Sequence, residues 1–387
     1  MKVVSAESTI VNVPYRRREV SSVVARDGVT DVLVKVTTDD GLVGWGEACS
    51  GADVVSVRQA LTAMTLFVLG RNPWNREAMQ AEVFHHGLWQ HRAMTGNYAW
   101  AGIDMALWDI CAKASGQPLY RLFGGLRRQQ VNYFYYLARG SAEDLQTQCM
   151  AGLAAGYTDY YIKVGLDFAD DLAMVAAVRE ALGSAPRLRL DANGSWSMPQ
   201  ALKSMAILAE FDIDFVEQPV REHPLAQMAE FRARSTVSVA ANEGLWSEAD
   251  AYARITGRVA DVYCFSPYWV GSLAAFHRLC HVAHWQGLQV CKHTHGELGI
   301  AAAACHHLLL TLPNLVTGNQ QTAQHMASDI LTDPLPIADG PVWGVPSGVG
   351  LGIEVSEDAV AEAHARYQAE GQYLPYQAEM LGREELG

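Results

Sequence analysis

Three short runs decide the fold: Leu188-Arg189-Leu190-Asp191-Ala192, Phe215-Val216-Glu217 and Val237-Ser238-Val239-Ala240-Ala241, the last followed at once by Asn242-Glu243. Each is apolar enough for a buried strand and each leads to a carboxylate. Asp191, Glu217 and Glu243 stand 26 residues apart, about one strand plus one helix. Working outward, similar runs occupy 131–137, 160–164, 262–265, 288–291 and 315–317, with helical spacing between them. Eight strands alternating with helices predict an α/β fold with a parallel sheet, and eight such units are what a closed (β/α)8 barrel requires. A doubly wound open sheet would carry a Gly-rich dinucleotide turn after its first strand, and that turn is missing here.

The N-terminal part reads differently. Residues 11–13, 30–37 and 43–47 alternate like antiparallel strands, with Asp39-Asp40-Gly41 as a hairpin turn. Residues 15–28, beginning Tyr15-Arg16-Arg17-Arg18-Glu19, read as a long loop. Helical spacing runs from 54 to 114; it ends in a segment that puts Ile103, Ala106, Leu107 and Ile110 on one face, and Gly116-Gln117-Pro118 stops it.

The chain has 387 residues, half of them apolar and 18% charged, which gives ample core. Its longest apolar run, 300–310, is divided by His306 and His307, so no membrane span is expected. The N-terminus lacks the pattern of a signal peptide, and the seven cysteines form no CxxC pair; both read as a cytoplasmic protein with free thiols. A net charge of −13 excludes a broad nucleic-acid surface and leaves small molecules or proteins as partners.

Polar residues gather where the predicted barrel strands end: Lys163, Asp191, Glu217, Glu243, Ser266, His293 and Asn319, spaced 23 to 28 residues apart. Barrel active sites lie at that end, because the βα loops open there. One carboxylate after a strand reads as a helix cap. Three on consecutive strands repel one another and call for a divalent cation. An all-oxygen set without cysteine suits Mg²⁺. Alternation places Tyr161 beside Lys163 and Asn193 beside Asp191, and turns His293 inward with Cys291 while Lys292 points away from the ring.

Leu190-Asp191-Ala192-Asn193-Gly194-Ser195-Trp196, Val216-Glu217-Gln218-Pro219, Ala241-Asn242-Glu243 and Ala101-Gly102-Ile103-Asp104-Met105-Ala106-Leu107-Trp108-Asp109-Ile110 together resemble the enolase superfamily, in its mandelate racemase and muconate lactonizing branch. The resemblance reaches from the N-terminal hairpin to residues 350–355. It implies a (β/α)7β modified TIM barrel over 126–344, under an α+β capping domain made of 1–125 and completed by 345–387. It further implies Mg²⁺ on Asp191, Glu217 and Glu243, proton abstraction next to a carboxylate, and a homo-oligomer such as a dimer, tetramer or octamer.

Departures from the family pattern shape the expected reaction. Tyr161-Ile162-Lys163 keeps only the second lysine of the usual Lys-x-Lys, and Ser266 stands where the two branches have Lys or Asp. Lys292-His293-Thr294-His295-Gly296-Glu297 resembles the histidine segment of mandelate racemase and glucarate dehydratase. The pattern is nearest to acid-sugar dehydratases of that type, with Lys163 and His293 as base and acid in either order and His295 as a substitute. A lysine near Mg²⁺ under a closed cap is expected to have a lowered pKa. A racemase, epimerase or cycloisomerase is the alternative reading, and a non-catalytic binding protein on the same scaffold is a third. Arg16 or Arg17 is expected to meet the substrate carboxylate, with Asn193, Ser266 and Asn319 also near it. His277, His281 and His284 read as an outer helix face, as do His306 and His307; Tyr133, Tyr135 and Tyr136 read as packing, with Tyr135 able to reach the pocket. His85, His86, His91 and Arg92 fall in the cap.

Overall fold

A computed structural model describes residues 1–376 apart from 50, 52, 88–90 and 92. The chain begins with an antiparallel sheet of β1 (Val3–Val20), β2 (Ala25–Thr38) and β3 (Val43–Ala48), in that order. Helices α1 (Val54–Met64) and α3 (Ala93–Ala114) pack on it, and α2 (Arg76–His86) packs against α3. The turn at 39–41 forms as the sequence predicts, with Gly41 at φ +84°. Gly46 permits a close approach: a Cβ there would fall 1.8 Å from the carbonyl oxygen of Gly102 in α3.

The expected loop over 15–28 is instead hairpin. β1 and β2 pair from Val3↔Thr38 through to Val20↔Ala25, and the amide of Ser21 donates to the carbonyl of Val24 to close the tip. The register shifts between Pro14 and Glu19, so Tyr15 to Arg18 form a bulge opposite Asp27. Charge without apolar alternation hides such a strand from a sequence reading.

Alternating units follow: β4 (Gln130–Asn132), β5 (Tyr135–Leu137), α4 (Ala142–Ala154), β6 (Asp159–Lys163), α5 (Phe168–Leu182), β7 (Arg187–Asp191), α6 (Met198–Leu208), β8 (Ile213–Glu217), α7 (Leu225–Arg234) and β9 (Ser238–Ala241). Next come α8 (Glu248–Thr256), β10 (Val262–Phe265), the short α9 (Pro267–Val270), α10 (Leu273–Trp285), β11 (Gln289–Lys292) and α11 (Gly299–Leu309). Ser141, Asp167, Ser247 and Ser272 each accept a backbone N–H at the start of the helix that follows, which fixes where α4, α5, α8 and α10 begin.

Strands β5 to β11 form one curled parallel sheet in chain order. The eighth strand is not regular. Residues 314–320 bond to β11 on one side, through Val290 and Lys292, and to Asn132 and Phe134 on the other, and so span the gap between β11 and β5. Arg189 reaches this segment from β7, with its guanidinium over the Phe215 ring and donating to the carbonyls of Thr317 and Gly318. Phe215, Ala240, Val262, Cys264 and Cys291 pack together on the inner faces of the strands. All seven cysteines are buried and free. Among the described residues no helix is long and apolar enough to cross a membrane.

The last described segment returns to the start. β12 (Val342–Gly344) pairs with β4, α12 (Glu357–Glu370) packs on β1, and Pro375 accepts from the amide of Ala25.

His306 and His307 depart from the outer-face reading, since both are fully buried. His306 Nδ1 meets the Tyr133 hydroxyl and its Nε2 donates to Gly344; His307 Nδ1 accepts from the Tyr120 amide and its Nε2 donates to Leu351. Burial lowers their pKa values to about 3 and about 4. A histidine with a depressed folded pKa takes up its proton first in the unfolded chain. Its stabilising effect is therefore complete above about pH 6.5 and erodes as pH falls toward the folded value. The urea midpoint should drop between pH 7.5 and pH 5. His306→Gln/His307→Gln should flatten that slope by up to roughly 1.4 kcal/mol per pH unit for each ring removed; an unchanged slope would show that the rings accept protons in the folded state.

Candidate active site

The parallel register sets the site. Lys163 lies opposite Asp191 and Asp191 opposite Glu217, so β6, β7 and β8 deliver their last side chains to one level, and Glu243 follows two residues after β9. Asp191 and Glu217 are fully buried. Each carboxylate is engaged by a donor. Lys163 Nζ donates to Asp191 Oδ2 at 2.5 Å, and the Tyr161 hydroxyl donates to the same oxygen. The Asn193 amide reaches Asp191 Oδ1 at 2.8 Å while its side chain reaches Glu243 Oε1 at 2.9 Å. Gln320 Nε2 meets both oxygens of Glu217, at 2.8 and 3.1 Å. The loops behind these carboxylates carry backbone strain, with φ of +46° at Asn193 and +41° at Gln218.

Burial and mutual repulsion show in the acidities. Desolvation, then the charge of Asp191, pushes the Glu217 carboxyl well up and that of Glu243 to about 7. Desolvation pulls Lys163 down, but Asp191, Glu19 and Glu217 outweigh it, so its pKa is raised rather than lowered as expected. The three carboxylates are not drawn fully together. Among the described residues, the trio whose ligand atoms gather within 4.8 Å is Asp31, Glu47 and Cys49. There Glu47 accepts from the amides of Leu298 and Ala301 at the start of α11, a structural anchor.

Above the strand ends lies a cavity of about 340 Å³ bordered by Lys163, Asn193, Glu243, His293 and His295. The His293 ring lies 4.1 Å from that of Trp269, and neither of its nitrogens has a partner. Desolvation, with the neighbouring charges of His295 and Lys163, holds it well below the usual histidine range. His295 Nε2 meets the carbonyl of Cys49 at 3.2 Å, and burial drops its pKa to about 3.

Other expected residues are elsewhere. Arg16 and Arg17 are exposed, because the bulge turns them to solvent. The hairpin presents Glu19 and Arg26 to the cavity instead. Arg26 Nε donates to Glu19 at 2.6 Å, and this pairing overrides desolvation to bring Glu19 to about 2. Ser266 is fully buried at the start of α9 and does not border the cavity. Asn319 accepts from the Lys292 amide and donates to Val316, closing the barrel, and the next residue, Gln320, reaches the site. Tyr135 packs on Tyr157 and Tyr160, whereas the Tyr136 hydroxyl donates to Glu19. Lys292 points away from the ring, yet it is buried and paired with Glu297. His277 lies on α10 against Phe123 and His281, away from the strand ends, and His284 is exposed. His85, His86 and His91 do not border the cavity; Arg92 lies outside the described residues.

Comparison with known proteins agrees with this arrangement. Residues 5–124 match the mandelate racemase / muconate lactonizing enzyme N-terminal domain, and 144–359 match the enolase C-terminal domain-like family. The chain belongs to the enolase superfamily, in its mandelate racemase and muconate lactonizing enzyme branch. It is 29% identical to D-galactarolactone cycloisomerase of Agrobacterium fabrum over 348 residues, 86% of this chain and 90% of that one. It is 26% identical to N-succinyl-L-Arg/Lys racemase of Bacillus cereus, covering 94% and 98% of the two chains. A Streptomyces coelicolor enolase described as a putative sugar isomerase superposes with a TM-score of 0.87 at 29% identity, covering 96% of this chain and 99% of that one.

Replacing Gln320 with Leu would leave both oxygens of the buried Glu217 without their donor. The loss should be about 1–3 kcal/mol of stability, read from the urea midpoint at pH 7.5; a neutral result would remove Gln320 from its supporting role.

Proposed function

We propose that this enzyme moves the α-proton of a carboxylate substrate, as a racemase or epimerase, with Lys163 and His293 acting from opposite sides of the carbon. The observation that carries this reading is their placement. They border one cavity from the ends of β6 and β11, and the strands that deliver Asp191, Glu217 and Glu243 lie between them in the sheet. His293 is held neutral and so offers a lone pair to an acidic C–H, while the Lys163 ammonium can return a proton to the other face; the roles exchange for the opposite enantiomer. The Glu19–Arg26 ion pair and the rings of Trp269 and His295 border the same cavity beside His293.

Asp191, Glu217 and Glu243 are the proposed Mg²⁺ ligands. The fit rests on the raised carboxyls of Glu217 and Glu243, on Glu243 Oε2 having no partner, and on an all-oxygen donor set. Such an ion would supply Lewis-acid stabilisation of the charge gathering on the substrate carboxylate. Dehydration of an acid sugar would use the same two groups. The relatives are a cycloisomerase and a racemase, and this supports proton transfer without loss of water.

In D₂O with Mg²⁺, 2-substituted carboxylates should exchange their α-proton, followed by NMR. Lys163→Ala and His293→Asn should each lose racemisation by at least about 10²-fold. Each variant should still exchange the one enantiomer that its remaining group faces. Full racemisation in either variant would defeat the two-sided mechanism, and release of water would restore the dehydratase reading.

A further inference from the structure

The cavity has two unlike ends. At the barrel end, hydrogen-bonding capacity is left over: Asn193 Oδ1, Glu243 Oε2, both ring nitrogens of His293 and Nδ1 of His295 are buried without partners. Under the cap, the polar groups are already matched to one another. Glu19 accepts from Arg26 and Tyr136, Arg26 also donates to the carbonyl of His295, and the Ser21 hydroxyl accepts the amides of Val23 and Val24. The cap and the loop after Glu243 add Val23, Val24, Met94, Trp246 and Pro375, apolar but for the Trp246 indole N–H, while the side chain of the bordering Asn242 is spent on the carbonyl of Cys264. Val23 is 52% exposed at the hairpin tip, an apolar side chain facing the cavity with little of the protein covering it. The wall is also held in place. Asn97 donates to the carbonyls of both Trp246 and Trp269, and the Ser22 hydroxyl donates to that of Ala192, fastening the hairpin tip to the loop after Asp191.

We infer that the substrate is an amphipathic carboxylate. Its acid group and α-carbon meet the strand ends, and its other end is an aryl or branched alkyl group lying between Val23–Val24 and Trp246. A sugar chain there would bring several hydroxyls to a wall of valine side chains and an indole ring that offers them little beyond the Trp246 N–H, and most would lose their hydrogen bonds to water without replacement. An apolar group in the same place removes its own surface and that of the valines from water. This inference rests on the proton-transfer reading for the direction in which the acid group points.

Equilibrium binding, read separately from proton exchange, tests it. With Mg²⁺ present, calorimetry should show phenylacetate and 4-methylpentanoate binding at least about 30-fold more tightly than gluconate and tartrate, since a mismatched polar group in an apolar site is disfavoured by about this much. Val24→Asp should reduce affinity for the two apolar acids at least tenfold, and Val24→Ile should retain it. Gluconate or tartrate binding as tightly as the apolar acids, no measurable binding of the apolar acids, or a preference indifferent to Val24→Asp would each overturn the inference. A preference for apolar acids that persists while no α-proton exchanges in D₂O would defeat the proton-transfer reading alone.

Discussion

Repulsion among three neighbouring carboxylates, two of them fully buried, governs this molecule. Parallel register brings Asp191 and Glu217 to one level, with Glu243 just beyond. The opposing donors therefore come from the strand ends themselves: Tyr161 and Lys163 for Asp191, Asn193 for Glu243, Gln320 for Glu217. Gln320 couples the site to barrel closure, because the segment that carries it is the one bonded to both β11 and the chain before β5. A defect in closure would be felt at Glu217, and an unbalanced Glu217 would pull on closure.

The cap solves a different problem. A hairpin that crosses the mouth of a polar cleft must bring charged residues near the lysine without adding to the repulsion. Pairing Glu19 with Arg26 within the hairpin, and anchoring both to Tyr136 and the His295 backbone, achieves this with no net charge. That leaves the hairpin tip free to be apolar. The division of labour between strand ends and cap is thus electrostatic first and hydrophobic second.

The strand ends were legible in the sequence because the unit repeats. Asp191, Glu217, Glu243, Lys163 and His293 lie at matching points of a regular period, and each borders or closes the site. Legibility failed where regularity did. The eighth strand is a set of isolated bridges, so counting by period lands on Asn319, one residue short of Gln320. A bulge, invisible in a run of charges, turns Arg16 and Arg17 outward and hands the cavity to Glu19 and Arg26. The burial of His306 and His307 depends on β12 and the chain near Leu351, dozens of residues away, and no local pattern records that cover.

The segment Gly371 to Tyr376 has a consequence for the order in which the protein is made. Its carbonyls take up the Asn12 side chain and the Ala25 amide, and its Tyr373 amide is held by Thr30. β1 and β2 thus wait for residues 343 to 359 positions further along the chain before the hairpin gains its outer support and the cavity its Pro375 wall. Between those two moments the whole barrel is synthesised and can form its own sheet, so the residues at its strand ends are in place before the cavity above them is enclosed. A nascent or C-terminally clipped chain would be a barrel with an unlatched mouth, folded at its strand ends and open above them.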